Sequence, residues 1–423
     1  MYPSVDGRLD ILAVLPLSFA VIIALRRFIA NRESKPCLPP GPVPLPLIGN
    51  VLSIDAKEPW LTYTKWHAAY GQGVISINSQ HIAEALLDKR SDIYSDRPYL
   101  ATAEQFSSSV GMSTIYDYEP SARNDPLVRI MENTVAVGLQ MTTPGKAILL
   151  QLFPFLLKLP DWCWGSSIKR DAQISTDHMN KIRDLPFQSA QQHMAENSFL
   201  GQFSMVAENL QRMEKQDEAS KPTFEVALKR AAVAGVMGSY ETTSSTLMVF
   251  ALAMVLYPDV QRRAQAEIDS VIGRDRLPTF EDRASLPYVE SILRETFRWH
   301  PILPLGVPHA TSSDDTYDGF FIPKGTTVMC NTWAISRDEK RYPDASRFMP
   351  ERFLDVNGVL TNDDPARYVF GLGRRACPGR HAGDASVWSA IVTMLATVDF
   401  SFAKDDQGKV IDFTPQFNPG LVW

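Results

Sequence analysis

Between Pro222 and Pro258 the chain runs from Phe224 to Leu256, 33 residues, without a proline. As one α-helix this stretch would be about 50 Å long, enough to cross a large domain. From Ala231 to Tyr257 its only charged residue is Glu241. An apolar run of this length also resembles a second membrane span. Its centre argues otherwise, because Gly235, Gly238, Ser239 and the run from Thr242 to Thr246 are small and polar. A buried helix with a function at its middle fits better, and an ionisable residue in such a setting marks a site.

The chain has 423 residues, 45% hydrophobic and 21% charged, which is neither a disordered tail nor a coiled coil. Lys plus Arg number 42 against 48 Asp plus Glu, so there is no basic excess with which to bind nucleic acid. Cys37, Cys163, Cys330 and Cys377 stand far apart with no CxxC. That spacing suits neither a disulfide scaffold nor a structural zinc site, and the bulk of the chain is expected in a reducing compartment.

Ile11 to Leu25 carries no charge, and Arg26 and Arg27 close it. Phe28, Ile29 and Ala30 extend the run to a full span if the arginines snorkel. The positive charges follow the apolar run and no small-residue cleavage site comes next, which favours an anchor over a cleaved signal peptide. The expected organisation is a lumenal 1–10, a single-pass anchor over 11–30, a hinge over 31–50 and a catalytic body over 51–423 on the cytoplasmic side. The hinge holds Pro36-Cys-Leu-Pro-Pro-Gly-Pro-Val-Pro-Leu-Pro46. Prolines at that density resist helix and ladder pairing and make a stiff spacer, closed by a turn at Gly49-Asn50.

Further along, Gly73 to Ile77 reads as a short strand and Ile82 to Lys89 as helix. Pro144, Pro154 and Pro160 break the middle of the chain into short helices. Glu208 to Glu218 reads as a charged surface loop or helix edge. Leu286 to Trp299 is a clear helix on which Glu295 and Arg298, three apart, share a face. Phe320 to Asn331 reads as a hairpin turning at Pro323-Lys-Gly325. Helical signal returns from His381 to Thr397.

Phe370-Gly-Leu-Gly-Arg-Arg-Ala-Cys-Pro-Gly379 carries the most chemistry. Gly371 to Ala376 fits a GxGxxA dinucleotide loop, but that loop must lead straight into a helix, and Cys377-Pro-Gly379 interrupts one. The better reading is a thiolate ligand. Cys377 lies between a glycine-rich bend and the start of a helix, where backbone N–H groups and the positive helix end stabilise a thiolate. Cys163 and Cys330 fit the ordinary reading of a lone cysteine as a small buried hydrophobe.

Phe370-x-x-Gly373-x-Arg375-x-Cys377-x-Gly379 resembles the haem-binding signature of the cytochrome P450 monooxygenases, in which a cysteine thiolate holds the iron. Three further motifs follow that family's order. Gly238-Ser-Tyr-Glu-Thr-Thr243 resembles its oxygen-activation segment, Glu295-x-x-Arg298 its ExxR pair and Pro350-Glu-Arg-Phe353 its later arginine motif. The Pro-rich hinge looks like that of microsomal members. The resemblance implies a mainly α fold with a small β-sheet portion, an N-terminal transmembrane anchor, and haem with Cys377 as axial ligand. It implies that Thr242 and Glu241 deliver protons to bound oxygen. It places Phe370, Gly373, Arg375, Gly379 and His309 at the cofactor, and joins Glu295, Arg298 and Arg352 in a network behind it. Taken alone, Thr242 fits a hydroxyl bonded to its own helix, and His309 a loop histidine.

The implied reaction inserts one oxygen atom of O2 into a small apolar substrate, with electrons from NADPH through a separate NADPH–cytochrome P450 reductase. Arg374 and Arg380 offer a basic docking face for it. The motif details resemble fungal members acting on secondary metabolites or foreign aromatics at the endoplasmic reticulum membrane. The chain also departs from the pattern. The family's Trp-x-x-x-Arg helix is expected in the first third, whereas the only such spacing is Trp333 to Arg337. Around Phe106-Ser107 the text jumps to Met112-Ser-Thr-Ile-Tyr116, which resembles the end of a later helix, as if several tens of residues were absent. The chain stops at Trp423 before the usual final strand. Ser239 replaces a usual glycine, and Gly383 stands where alanine is common. The alternative is therefore a poorly loaded remnant or an incomplete form of such an enzyme.

Overall fold

The computed structural model describes residues 204–405 and 407–411, and before them 41–42, 50, 53–55, 58–70, 76–77, 80–84, 109–118, 125, 127, 129–130 and 167–196. The anchor, most of the hinge, the junction at Phe106-Ser107, the three middle prolines and Cys163 lie outside the described residues.

The first third holds α1 (Pro59–Tyr70), β1 (Ser76–Ile77), α2 (Gln80–Ala83) and α3 (Ser109–Tyr116). Of the strand expected over Gly73 to Ile77 and the helix over Ile82 to Lys89, the described residues show Ser76–Ile77 as strand and Ile82 and Ala83 as helix. Two helices follow, α4 (Ser167–Glu196) and α5 (Met205–Glu214). The charged stretch from Glu208 is an exposed helix edge as far as Glu214 and a turn beyond it, within the two expected forms. Ser204 caps α5 by accepting from the Ala207 amide at 3.2 Å. Val206, Ala207 and Leu210 turn inward, while Glu208 and Arg212 pair on the wet face.

The proline-free run forms α6 (Lys221–Leu256), with Pro222 in its first turn. Tyr257 ends it at ψ 65°, because a residue before proline is driven out of the helical region. Pro258 starts α7 (Pro258–Val271). The same device separates Leu286 from α8 (Pro287–Trp299) and closes α8 at His300, before Pro301. Among the described residues no single helix is long and apolar enough to cross a membrane. Thr242–Leu256 passes such a test only jointly with Pro258–Val271, and the pair is bent by 104°.

Two apolar cores meet along α6. Its N-terminal half gives Leu228, Ala232 and Val236 to a core shared with α3, α4 and α5. Its C-terminal half gives Val249, Phe250, Ala253 and Met254 to a second core with α7, α8 and the late helix α11. Burial of this kind stabilises by roughly 25 cal/mol per Å² of apolar surface.

The small β portion holds β2 (His309–Ala310), β3 (Asp315–Tyr317), β4 (Phe320–Ile322) and β5 (Thr327–Cys330). The expected hairpin over 320–331 does not form. The turn at Pro323 exists, with Thr326 donating to Pro323 O and Gly325 at φ 79°. Its flanking strands, however, belong to different sheets. β4 pairs back with β3 across Asp318-Gly319, both at positive φ, the geometry a two-residue hairpin turn favours. β5 pairs instead with β1 in parallel and with β2 antiparallel. Cys330 is buried on β5, and burial pushes its thiol up to about 12, as its reading as a core hydrophobe implies. The chain continues through α9 (Thr332–Ser336), a 3-10 turn at Pro350–Phe353, α10 (Ala366–Val369), a second at Gly373–Arg375, and α11 (Arg380–Thr397).

Candidate active site

Cys377 sits in a loop shaped by backbone rather than by side chains. After α10, Gly371 and Gly373 adopt φ 77° and 61°, where an L side chain is strained. A β-carbon on Gly371 would also stand 3.5 Å from the Arg375 carbonyl oxygen. The bend returns the chain so that the Cys377 amide donates to Phe370 O at 2.7 Å. Gly379 then opens α11, and the Gly383 amide donates to Gly379 O at 2.7 Å. The thiol is free and partly buried, with its Sγ 3.9 Å from where a β-carbon on Gly379 would lie. Phe370 packs edge-on against Phe297 of α8, ring centres 5.3 Å apart. A β-carbon at Gly383 would meet Phe370 at 3.6 Å, an ordinary contact, so alanine would fit there.

α6 packs on both α8 and α11. At its middle the Thr242 hydroxyl donates to Gly238 O at 2.9 Å, one turn back. Ser239 and Thr246 likewise donate to Val236 O and Thr242 O. These hydroxyls satisfy themselves on their own helix, the ordinary alternative for such residues. Gly238 is exposed, and a β-carbon there would meet nothing within 4 Å. Glu241 lies on α6, but its side chain is outside the described residues. His309 is buried on β2, opposite Val328 of β5. Arg375 is exposed at the end of its 3-10 turn.

The ion network is complete. Arg298 donates to both oxygens of Glu295, at 2.6 and 2.7 Å, and neither side chain is exposed at all. Its remaining N–H groups reach the carbonyls of Ser336, Ala345 and Arg347. Arg352 reaches Glu295 Oε1 at 3.2 Å, and the Met349 amide donates to the same oxygen at 2.7 Å. A buried carboxylate is tolerated because both its oxygens accept hydrogen bonds, Oε2 from Arg298 and Oε1 from Arg298, Arg352 and the Met349 amide. Tyr342 was not foreseen here. The Arg298, Arg341 and Arg352 guanidinium carbons lie 5.3, 4.9 and 6.0 Å from its ring centre. Burial pushes its hydroxyl up to about 12.

Trp333 and Arg337 are committed elsewhere. Arg337 stacks on Trp333 at 4.4 Å and donates to Trp299 O and Ala345 O. Sequence reading also missed Glu267 of α7, which accepts the Tyr288 and Val289 amides at 2.9 Å and so caps α8. Burial holds its carboxyl above the usual range, with those two amides opposing.

A family model for cytochrome P450 matches residues 106–422. Cytochrome P450 monooxygenase claR of Ampulloclitocybe clavipes is 34% identical, with 96% of this chain and 87% of that protein covered. Cytochrome P450 monooxygenase 136 of Postia placenta is 32% identical over 96% of this chain and 91% of its own length. The chain belongs to the cytochrome P450 family. It is a P450 monooxygenase, an oxidoreductase with fungal relatives. The claR alignment spans 483 positions against the 423 residues of this P450, so at least 60 positions of that relative face no residue here. Family membership implies a haem-thiolate cofactor, and the residues present fit one. Cys377 offers a free, partly buried thiol on a loop bent by two glycines of positive φ, and a β-carbon at Gly238 of α6 would meet open space.

Proposed function

We propose that this P450 is a membrane-anchored haem-thiolate monooxygenase acting on an apolar organic substrate, a secondary metabolite or foreign aromatic. The observation that carries the proposal is Cys377, held by Phe370 O at the head of α11 behind two glycines of positive φ. Cys377 would ligate the iron, with Phe370, Gly373 and Gly379 shaping the loop beneath the ring and Arg375 and His309 holding propionates. When bound, the haem activates O2 so that one oxygen atom enters the substrate and the other leaves as water.

On the other side, Thr242 Oγ1 spends its proton on Gly238 O and keeps lone pairs for a water. Glu241 would supply protons to that water. Glu295, Arg298 and Arg352 would hold the frame behind the ligand loop. Electrons would come from NADPH through a reductase docking near Arg374 and Arg380, both exposed. Residues 11–30 would fix the protein in the endoplasmic reticulum membrane with the catalytic body in the cytoplasm.

A second reading, a remnant that loads haem poorly, is favoured by the 60 or more unmatched positions, such as the several tens of residues expected at Phe106-Ser107 would leave. The reduced, carbon-monoxide-minus-reduced difference spectrum of the full chain decides between them. A thiolate-type Soret band that Cys377→Ser abolishes supports the enzyme. A neutral-ligand band, or no haem, supports the remnant.

A further inference from the structure

Arg283 belongs to none of the motifs and lies in the 3-10 turn Phe280–Ser285 that precedes α8. Its guanidinium grips two carboxylates at once. Nε and Nη2 donate to Glu290 at 2.8 and 3.0 Å, and Nη1 and Nη2 donate to Asp384 at 2.6 and 3.2 Å. Glu290 is on α8, the helix of Glu295 and Arg298. Asp384 is on the second turn of α11, seven residues after Cys377. The same guanidinium lies 5.5 Å from the ring of Trp388, which is fully buried one turn further on.

The start of α11 lies at the surface. Gly379 caps it without a side-chain hydrogen bond, and Arg380 and His381 are exposed. The preceding loop holds its own bend through the Cys377 amide on Phe370 O, and Arg283 ties the helix that follows it to α8. We propose that Arg283 is a positioning residue for the thiolate, clamping the head of α11 to α8 and thereby fixing where Cys377 stands. A planar fork suits this task, because it meets two carboxylates in fixed directions, whereas a lysine ammonium supplies charge without direction. The role at the iron rests on the haem-thiolate reading; the clamp itself does not.

The test uses the full chain with Arg283→Gln, Arg283→Lys and Asp384→Asn. Two quantities are read: amide hydrogen exchange along α11, and the share of thiolate-type against neutral-ligand band in the carbon monoxide difference spectrum. Exchange at residues 383–386 should rise about tenfold in Arg283→Gln and Asp384→Asn, while that at 391–395 stays put. The neutral-ligand share should rise in the same two variants and lie between them and wild type in Arg283→Lys. Unchanged or uniformly raised exchange overturns the clamp, and a loosened helix with an undisturbed thiolate band overturns the positioning of Cys377. Lack of a thiolate band in the unsubstituted protein would sink the haem-thiolate reading and with it the role at the iron. The exchange pattern would still decide the clamp.

Discussion

Ile115 stands where a side chain on Gly235 would have to go, its Cδ1 2.7 Å from the position of a β-carbon there. The helix Ser109–Tyr116 therefore seats on the bare backbone of α6. Because the intruding atom is the end of a flexible side chain, Gly235→Ala should be close to neutral, the gain in helix propensity offsetting the shift. Gly235→Leu should lose about 1–3 kcal/mol by overpacking. Adding Ile115→Ala should recover part of that loss in denaturant midpoints, as coupled neighbours do.

Removing Arg298 leaves a fully buried Glu295 with only Arg352 and the Met349 amide as donors, both on Oε1. Arg298→Ala should cost about 3–5 kcal/mol, the usual penalty for leaving one partner of a buried pair. Arg352, with 8% of its side chain exposed, makes the longer contact, and Arg352→Lys should cost less. Equilibrium unfolding of both variants checks the order. Equal losses would mean that Glu295 leans on the two arginines alike.

His300 supplies a pH dependence. Burial, then Arg337 and Arg298, press its imidazole down to about 3. Its rings meet Trp299 and Trp333 at 4.6 and 5.6 Å. The unfolded chain takes up the proton near 6.5 and the folded chain resists it, so stability is complete above about 6.5 and declines as the pH falls towards 3. His300→Gln should flatten that decline by up to about 1.4 kcal/mol per pH unit. Parallel curves for the two proteins between pH 6.5 and 4 would remove His300 from the account.

At Gly371 the positive φ and the nearby Arg375 carbonyl act together. Gly371→Val should lose about 1–2 kcal/mol for the backbone alone. It should also displace the ligand loop, visible as reduced haem retention on dilution. Retention equal to wild type would show that the bend is set elsewhere.

The long helices were legible because prolines punctuate them. Pro258, Pro287 and Pro301 fix three boundaries through the residue before each, and the observed ends lie within a few residues of those expected. Glu295 and Arg298 could be read as one face from their spacing, but not their burial, which depends on carbonyls from Ser336 to Arg347. The β region misled for a plain reason. Pro323-Lys-Gly325 is a sound turn, and nothing local says that its two flanks pair with other partners. Asp318-Gly319 was the stronger hairpin signal and was passed over. The grip of Arg283 on Asp384 spans 101 positions, and no periodicity reports a contact at that range.

A helix rooted in two cores resembles a shaft carried by two bearings. Leu228, Ala232 and Val236 turn in one, and Val249 to Met254 in the other. Each core can melt as its own cooperative unit, so the protein has a natural line of partial failure. That line crosses α6 between Val236 and Val249, the stretch that holds Gly238 and Thr242. Loss of the first core would leave the second half of the shaft still gripped by α7, α8 and α11, with its first half set free.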